Sequence, residues 1–322
     1  MVGVLPQFLS HVAILAPNWL GDVAMALPSL QTLVLARPET TFHVVGRPPF
    51  GEVVNLLSTP RLMHHECVHN NSQRRQLLRS INPEAVIMFT GSFRSAWIAR
   101  GLGHIRIGTR SEGRGWLLTH AIPRGTSRPR PTSELYADLV EVAVGERPGR
   151  PQTLISEPPK LTRSGIVLVP GASRSNKRWP ESRFISLGQK LQATGHGITL
   201  LGAPDEQNRL LEMSKHIPQS QVICEAGLNP ALSAIQHAAV VVGNDTGPRH
   251  LATLFGTPCV TLFGPTDVRW TPTTTNEHTL QAQPFAPKEL VANDQPAAFA
   301  MERIPVGDVL FAVRNILNQS QR

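Results

Sequence analysis

The stretch VVVGNDTGPRHLATLFGTPCVTLFGPTD, which occupies residues 240–267, decides the fold of this chain. Its β-branched run at residues 240–242 predicts a buried strand of a parallel sheet. The polar loop after this strand ends in Pro248, a residue favoured in the first turn of a helix. A helix over residues 249–255 and a second strand over residues 260–263 follow, so the stretch is a strand–loop–helix–strand unit of an α/β sheet.

The loop in this unit is the predicted ligand site. Open α/β sheets bind ligands at the carboxyl ends of their strands, and a helix N-terminus presents free N–H groups and a positive dipole end to an anion. The loop supplies Asp245, Thr246 and Gly247, and His250 lies one turn later on the same helix face. We predict that these residues hold the phosphates of a nucleotide-linked substrate, although a structural role for His250 fits the sequence equally well.

Two other loops of the second half also follow predicted strands. Residues 170–180, PGASRSNKRWP, combine small residues, hydroxyl groups and three cations, which suits a pyrophosphate; a solvated basic loop is the alternative. We predict Ser173 as a hydrogen-bond donor and Lys177 as a point charge, without the spacing of a P-loop. Asp205 and Glu206 follow the next strand, where an acid can bind ribose hydroxyls or simply favour the start of a helix.

The first half repeats the alternation of strands and helices that is typical of a parallel α/β sheet. Its first strand, residues 11–16, leads into Asn18, Trp19 and Asp22 at the start of a helix. The carboxylate of Asp22 could act as a general base or cap the helix. Four arginines that follow other strands of this half are predicted either to bind an anionic acceptor or to lie on the surface as solvated side chains: Arg94, Arg106, Arg110 and Arg114.

The domain organisation follows from two stretches without periodicity. Residues 145–164 are rich in Pro, Gly and polar residues, and we predict that they link an N-terminal domain of residues 1–155 to a C-terminal domain of residues 156–322. Residues 271–300 carry no clear element and are predicted to be irregular. A terminal helix over residues 305–319 completes the second domain or packs back on the first.

The composition favours an anionic partner, because residues 1–150 carry 16 Arg against 10 acidic residues, whereas residues 151–322 carry 15 basic against 13 acidic residues. A codon bias towards Arg is the alternative explanation. Nucleic acid is not expected, since aromatic residues make up only 5% and no nucleic-acid motif occurs. No run approaches the roughly 20 apolar residues of a membrane span, and no signal peptide is recognisable. Three separated cysteines predict a reducing compartment and no metal site.

Three motifs, in this order, resemble those of glycosyltransferase family 9: WLGD at residues 19–22, KRWP at residues 177–180 and NDTGPRH at residues 244–250. Residues 91–96 and 106–110 are also similar to that family. The resemblance implies an α/β protein of the GT-B class, with two Rossmann-like doubly wound domains that face a central cleft. The first domain would bind the acceptor, and the second would bind the nucleotide sugar.

The resemblance also implies the reaction, which is an inverting, metal-independent and cofactor-free transfer of heptose from ADP-heptose to the inner core of lipopolysaccharide. The implied catalytic residues are Asp22 as base and Lys177 as donor-phosphate contact. The donor would also contact Ser173, Asp245, Thr246, Gly247 and His250. Asp205 and Glu206, predicted as donor contacts from their position after a strand, are shifted by one residue from the position where the family often has an acid. The acceptor, an anionic lipid-linked core oligosaccharide, would contact Asn18, Trp19, Arg94, Arg110 and Arg114. Such an enzyme is expected in the cytoplasm, with peripheral contact to the inner face of the cytoplasmic membrane.

Two other functions stay open at this point. One is a different GT-B enzyme, such as a nucleotide-sugar epimerase or a transferase with another donor, although WxGD is not an epimerase motif. The other is a nucleotide-sugar-binding protein whose catalytic site has decayed. The joint presence of Asp22, Lys177 and Asp245 argues against that second reading.

Overall fold

The computed structural model describes residues 3–67, 70–123, 130–149, 163–282 and 300–320. The chain divides into two compact units, Met1–Leu154 and Ile155–Arg322. Most of the predicted linker, residues 145–164, lies outside the described residues. Among the helices that are described, none has both the length and the apolar character that crossing a membrane requires.

The described part of the first unit forms a doubly wound parallel sheet. Its strands are β1 (His11–Leu15), β2 (Thr41–Gly46), β3 (Leu62–Glu66), β4 (Ala85–Met88), β5 (Ile105–Arg110) and β6 (His120–Pro123). Its helices are α1 (Leu20–Ala36), α2 (Gly51–Val54), α3 (Asn71–Ile81), α4 (Phe93–Ala99) and α5 (Thr132–Val144). The strand order is β3-β2-β1-β4-β5-β6, so the winding reverses between β1 and β4. Ligands of doubly wound sheets bind at the carboxyl ends of the strands at such a reversal.

The second unit repeats this topology. Its strands are β7 (Ile166–Val169), β8 (Ile198–Leu201), β9 (Gln221–Ile223), β10 (Val240–Asn244), β11 (Cys259–Phe263) and β12 (Glu277–Gln281). Its helices are α6 (Glu181–Gln192), α7 (Gln207–Lys215), α8 (Asn229–His237), α9 (Gly247–Leu254) and α10 (Val306–Ser320). The order β12-β11-β10-β7-β8-β9 places the reversal between β7 and β10. The strand–loop–helix–strand unit predicted from residues 240–267 is thereby confirmed as β10, α9 and β11.

The central strands explain why the sheets form. All residues of β4, β7, β10 and β11 are buried, as expected for parallel strands covered by helices on both faces. At the second reversal the strands approach closely, because a Cβ added to Gly243 would lie 2.8 Å from the Cβ of Val169. Glycine at this position therefore permits the pairing of β10 with β7.

Three sequence predictions need correction. Strands β3 and β6 were not predicted, and β12 lies within residues 271–300, which were predicted to be irregular. The terminal helix α10 buries Val309, Ala312 and Val313 in the core of the second unit. The apolar face of α10 is therefore explained by packing within the second unit, without the alternative packing on the first domain.

Candidate functional site

The two predicted phosphate loops of the second unit meet at its strand reversal. Lys177 lies in a short 3-10 turn after β7, and Asp245 directly follows β10. The Nζ atom of Lys177 lies 3.2 Å from Oδ2 of Asp245, and the two side chains are only 17% and 12% exposed. A cation is thus held at the N-terminus of α9, where free N–H groups already favour an anion.

The loop after β7 is fixed in place by Asn244. This buried side chain accepts a hydrogen bond from the backbone N–H of Trp179 (3.0 Å) and donates to the carbonyls of Pro170 (3.0 Å) and Gly171 (3.2 Å). Trp179 is fully buried, and its indole N–H donates to the carbonyl of Ile304 (2.9 Å). The cationic loop is therefore preorganised before any ligand binds. The sequence indicates this anchoring role only through the position of Asn244 at the end of the strand, and no role was assigned to Asn244 from the sequence.

Arg249 is a second residue that sequence reasoning missed. Its guanidinium pairs with Oδ1 of Asp245 (3.1 Å) and Oε1 of Glu277 (2.8 Å), and it donates to the hydroxyl of Thr271 (2.6 Å). It also lies 5.2 Å above the ring of Phe263, and its side chain is 2% exposed. Asp245 therefore accepts from two cations, and Arg249 alone would keep it paired if Lys177 bound another anion.

The charges in this cluster fix the ionisation of its members. Burial alone would raise the pKa of Asp245, but the charges of Arg249 and Lys177 outweigh burial and hold that pKa below its usual value. Burial, aided by Arg249, lowers the pKa of His250 to about 3, so this imidazole is neutral at pH 7. A contact between His250 and a phosphate would hence be a neutral hydrogen bond and not an ion pair.

Helix α9 offers an open N-terminus to a ligand. Its N-cap is Thr246, whose side chain makes no capping hydrogen bond to the helix and instead donates to the carbonyl of Asn244 (3.3 Å). The first helical residue is Gly247, and Pro248 follows in the first turn, as predicted. The backbone N–H groups of this turn are thus available to an anion.

Asp22 lies at the strand reversal of the first unit, in the first turn of α1. The N-cap of α1 is Trp19, and no side-chain cap is made, so the structure does not support the capping alternative for Asp22. Burial raises the pKa of Asp22 to about 6. Burial and the charge of Asp22 together raise the pKa of Tyr136, whose ring stacks on Phe89 with centroids 4.9 Å apart. Asp22 is consequently a carboxylate whose pKa suits proton transfer near neutral pH.

Comparison with known proteins assigns the chain to a family. The profile of glycosyltransferase family 9 (heptosyltransferase) matches residues 73–295, which is more than half of the chain. The chain belongs to glycosyltransferase family 9. It is therefore a glycosyltransferase, and the epimerase reading is set aside.

Relatives of this family 9 glycosyltransferase match it at moderate identity. Lipopolysaccharide heptosyltransferase 3 of Escherichia coli is 30% identical over 190 residues, which cover 52% of this chain and 55% of that protein. Lipopolysaccharide heptosyltransferase 1 of Pseudomonas aeruginosa is 25% identical over 288 residues, which cover 81% of this chain and 80% of that protein.

The solved structure of E. coli ADP-heptose lps heptosyltransferase II matches the fold with a TM-score of 0.78 at 21% identity. The match covers 97% of this chain and 100% of that one. At this level of identity the likeness concerns the fold. The predicted fold class, an α/β protein of the GT-B class with two Rossmann-like domains, is confirmed.

In this family 9 chain the predicted acceptor arginines have different environments. Arg94 and Arg110 are exposed, and Trp19 is 65% exposed. Arg114, by contrast, is fully buried; it donates to the carbonyls of Thr109 (2.8 Å) and Ser92 (3.0 Å). Its predicted acceptor contact is therefore corrected, because its guanidinium is already used to join the segments after β4 and β5.

Arg106, also considered from the sequence, has a similar structural role to that of Arg114. Its guanidinium donates to the carbonyls of Leu117 (2.9 Å) and Gly103 (2.8 Å). Asn18 is half-buried at the start of α1. Of the predicted acceptor contacts, Asn18, Trp19, Arg94 and Arg110 thus keep accessible side chains.

The remaining predicted donor residues differ in accessibility. Ser173 and Asp205 are exposed. The carboxylate of Glu206 accepts from the backbone N–H of Ala203 (3.0 Å) and pairs with Arg209, so it already has local partners. The same carboxylate packs against Gly171 of the β7 loop. The structure therefore brings Glu206 beside the phosphate loop, and the ribose contacts of both acids stay predictions.

Proposed function

We propose that this chain transfers a heptose from ADP-heptose to the inner core of lipopolysaccharide. The observation that carries the proposal is the cluster of Lys177, Asp245 and Arg249 at the N-terminus of α9, because it is a preorganised site for a diphosphate. Membership of a family described as heptosyltransferase, and relatives named lipopolysaccharide heptosyltransferases, support the identity of the sugar and of the acceptor.

The second unit is the proposed donor domain. Lys177 and the N–H groups of α9 stabilise the negative charge that develops on ADP as the bond between its phosphate oxygen and C1 of the heptose breaks. Thr246, Gly247 and neutral His250 lie on the loop and helix that carry these groups. Ser173, Asp205 and Glu206 are the proposed contacts with the rest of the nucleotide.

The first unit is the proposed acceptor domain, and Asp22 is the proposed base. Its carboxylate takes the proton of an acceptor hydroxyl while the hydroxyl oxygen forms a bond to C1 on the side opposite the leaving ADP, which inverts that centre. With a pKa of about 6, Asp22 is mostly ionised at pH 7 and still basic enough to accept the proton. Half-buried Asn18 and the exposed side chains of Trp19, Arg94 and Arg110 are the proposed contacts with an anionic core oligosaccharide.

The acceptor of this reaction is anchored to lipid, so we place the enzyme at the inner face of the cytoplasmic membrane, in peripheral contact with it. Arginine guanidinium groups match the phosphate and carboxylate groups that such an acceptor carries. The arginine excess of the first half of the chain is consistent with this assignment.

The test is a transfer assay with ADP-heptose and a deacylated, water-soluble core acceptor, with the product detected by mass spectrometry. Wild-type protein should add one heptose, and Asp22→Asn should lower kcat by about 10²–10⁴-fold, the usual contribution of a general base, while the Kd for ADP stays unchanged. Lys177→Ala should instead weaken ADP binding. Asp308→Asn is the matched control, since Asp308 is an exposed acid in the first turn of α10.

Two outcomes would count against the proposal. Near-wild-type turnover of Asp22→Asn would remove Asp22 as the base. Conversion of ADP-heptose without any acceptor, or tight donor binding with no transfer to any core acceptor, would point to another reaction class or to a binding protein.

A further inference from the structure

Three exposed aromatic side chains of the first unit lie together with an arginine. Phe93 and Trp97 are both on α4, with ring centroids 6.1 Å apart, and Trp116 lies 6.4 Å from Phe93. The guanidinium of Arg100 covers the ring of Trp97 at 5.1 Å. The exposed fractions of Phe93, Trp97 and Trp116 are 37%, 48% and 67%. We name Phe93, Trp97, Arg100 and Trp116 the aromatic–arginine patch.

Hydrogen bonds from two arginines hold the segments that carry the patch in place. Arg114, buried beneath it, donates to the hydroxyl of Ser95 (2.9 Å) in α4 and itself belongs to the turn that carries Trp116. Arg75 of α3 donates to the carbonyls of Ile98 (2.6 Å) and Arg100 (3.0 Å), at the end of α4. An ordered apolar surface of this kind, exposed to water, marks an interaction site.

We propose that the aromatic–arginine patch docks the first unit on the surface of an anionic phospholipid bilayer. This inference rests on the proposed function, because a lipid-anchored acceptor is reached only at the bilayer surface. Tryptophan rings are favoured at the headgroup level of membranes, where one part of the ring is in an apolar and one part in a wet environment. Arg100 adds attraction to anionic headgroups.

The surroundings of the patch carry the matching charge. Arg94 and Arg110 are exposed beside it, and Arg110 packs against Gly115, the residue before Trp116. The neighbouring acid, Glu112, accepts a hydrogen bond from the backbone N–H of Phe93 (2.8 Å), so its charge is partly compensated. The basic surroundings therefore complement an anionic surface.

The ring contacts favour a bilayer over a second sugar-binding site. The ring of Trp97 is stacked on Phe93 at an interplanar angle of 20° and is also covered by Arg100, whereas stacking on a sugar needs an open ring face. Helix α4 follows β4, the strand paired with β1, and α1 with Asp22 follows β1. The N-terminus of α4, with Phe93, therefore lies at the same carboxyl edge of the sheet as Asp22.

The experiment measures flotation of the full-length protein with vesicles. The wild-type protein should float together with vesicles of phosphatidylethanolamine and phosphatidylglycerol. It should not float with vesicles of phosphatidylcholine alone. The double variant Trp97→Ser/Trp116→Ser should lower the partition coefficient at least about tenfold, and Arg100→Ser should lower it about fivefold. Phe311→Ser and Arg314→Ser, which change an exposed aromatic residue and an exposed arginine of α10, should leave it unchanged.

Transfer assays separate the membrane role from other roles of the patch. The double variant should keep wild-type kcat and KM with the deacylated acceptor and lose activity only with the acceptor embedded in vesicles. Flotation of the double variant equal to that of the wild type would overturn the proposal. Equal losses with both acceptors would also overturn it and assign the patch to the oligosaccharide. If the wild type transferred heptose to neither acceptor, the proposed function would fail, whereas the flotation result would still decide the docking.

Discussion

Asp22, a half-buried carboxylate, would link stability to activity in its proposed role as the base. The rise of its pKa from 3.8 to about 6 means that the folded protein binds this proton more tightly than the unfolded chain does. The free energy of unfolding therefore falls as the pH rises from about 4 to about 6, and the loss persists above that range. The desolvation that raises the pKa of Asp22, the proposed base, is thus a source of instability at neutral pH.

We predict that Asp22→Asn stabilises the protein at neutral pH while it lowers kcat for transfer. Asparagine carries no charge to desolvate, so the free energy of unfolding at pH 7.5 should rise by up to about 3 kcal/mol. The gain should shrink as the pH falls through 6 and vanish only below about pH 3, where the wild-type carboxyl is protonated in both the folded and the unfolded state. Urea unfolding at several pH values measures this. A gain of equal size at pH 4 and pH 7.5 would contradict the assignment of the raised pKa.

Individual residues differ in how far the sequence can decide their roles. The sequence places Asp22, Lys177 and Asp245 after strands. The topology of a doubly wound sheet brings such positions to the carboxyl edge of the sheet to which each belongs. Burial of a particular arginine is different, because it depends on the long-range packing that surrounds it. Arg114 has the same local signature as Arg110, yet only Arg114 is buried, since the segments after β4 and β5 close around it.

At the scale of elements, a buried ion pair joins helix α9 to the edge strand β12. Arg249 of α9 contacts Glu277 of β12, and the Glu277 side chain is fully buried. Glu277 also accepts from the hydroxyl of Thr261 in β11 (2.6 Å). The charge that holds Asp245 in place thus depends on an edge strand, and an edge strand has a neighbour on only one side.

We predict that Arg249→Met lowers the free energy of unfolding by about 3–5 kcal/mol, because it leaves the carboxylate of Glu277 buried without a cation. The double variant Arg249→Met/Glu277→Met should recover most of that loss, since it buries no unpaired charge. Denaturant unfolding of the four proteins in this cycle gives the coupling energy. Arg174→Met, the same change at an exposed arginine, should stay within about 0.5 kcal/mol of wild type. A double variant no more stable than Arg249→Met would contradict the coupling.

The three strands that the sequence did not predict are all edge strands. The central strands β4 (AVIM) and β7 (IVLV) are entirely apolar and were recognised, whereas β3 (LMHHE) and β12 (EHTLQ) are mostly polar and β6 (HAIP) ends in a proline. All three lie at sheet edges, where one side of the strand is unpaired and polar residues are tolerated. In β3, for instance, His65 bonds His43 of β2 through their ring nitrogens at 2.9 Å. Such strands are stabilised by pairing with a neighbouring strand, so no local pattern of apolar residues predicts them.

At the scale of the whole molecule, charge is distributed unequally. Residues 1–150 carry 16 Arg and 10 acidic residues, against 15 basic and 13 acidic residues in 151–322. Part of the first-half charge is neutralised on α5, where acids pair with Arg130 and Arg147. The exposed arginines Arg94 and Arg110 have no ion pair among the residues that the structure describes. The surface of the first unit around Arg94 and Arg110, the proposed acceptor contacts, therefore carries uncompensated positive charge.

This distribution predicts different salt dependences for the two substrates. Exposed charges attract an anionic acceptor over several ångströms, and this attraction is screened as the Debye length falls from about 10 Å at 0.1 M salt to about 3 Å at 1 M. The proposed donor site is the cluster of Lys177, Asp245 and Arg249, whose charges are little exposed and lie at short range, so salt screens them less. We therefore expect kcat/KM for the deacylated phosphorylated acceptor to fall steeply with ionic strength, and kcat/KM for ADP-heptose to fall less.

Initial-rate measurements over a series of salt concentrations, with each substrate varied in turn, test this expectation. Arg94→Glu/Arg110→Glu should flatten the acceptor dependence, because the field that salt screens has been reduced, while the donor dependence stays as it was. Lys190→Glu is the control, since it changes an exposed charge of the second unit and should leave the acceptor slope unchanged. Equal slopes for both substrates in the wild type would mean that the arginine excess does not steer the acceptor, and the codon-bias explanation of that excess would then be preferred.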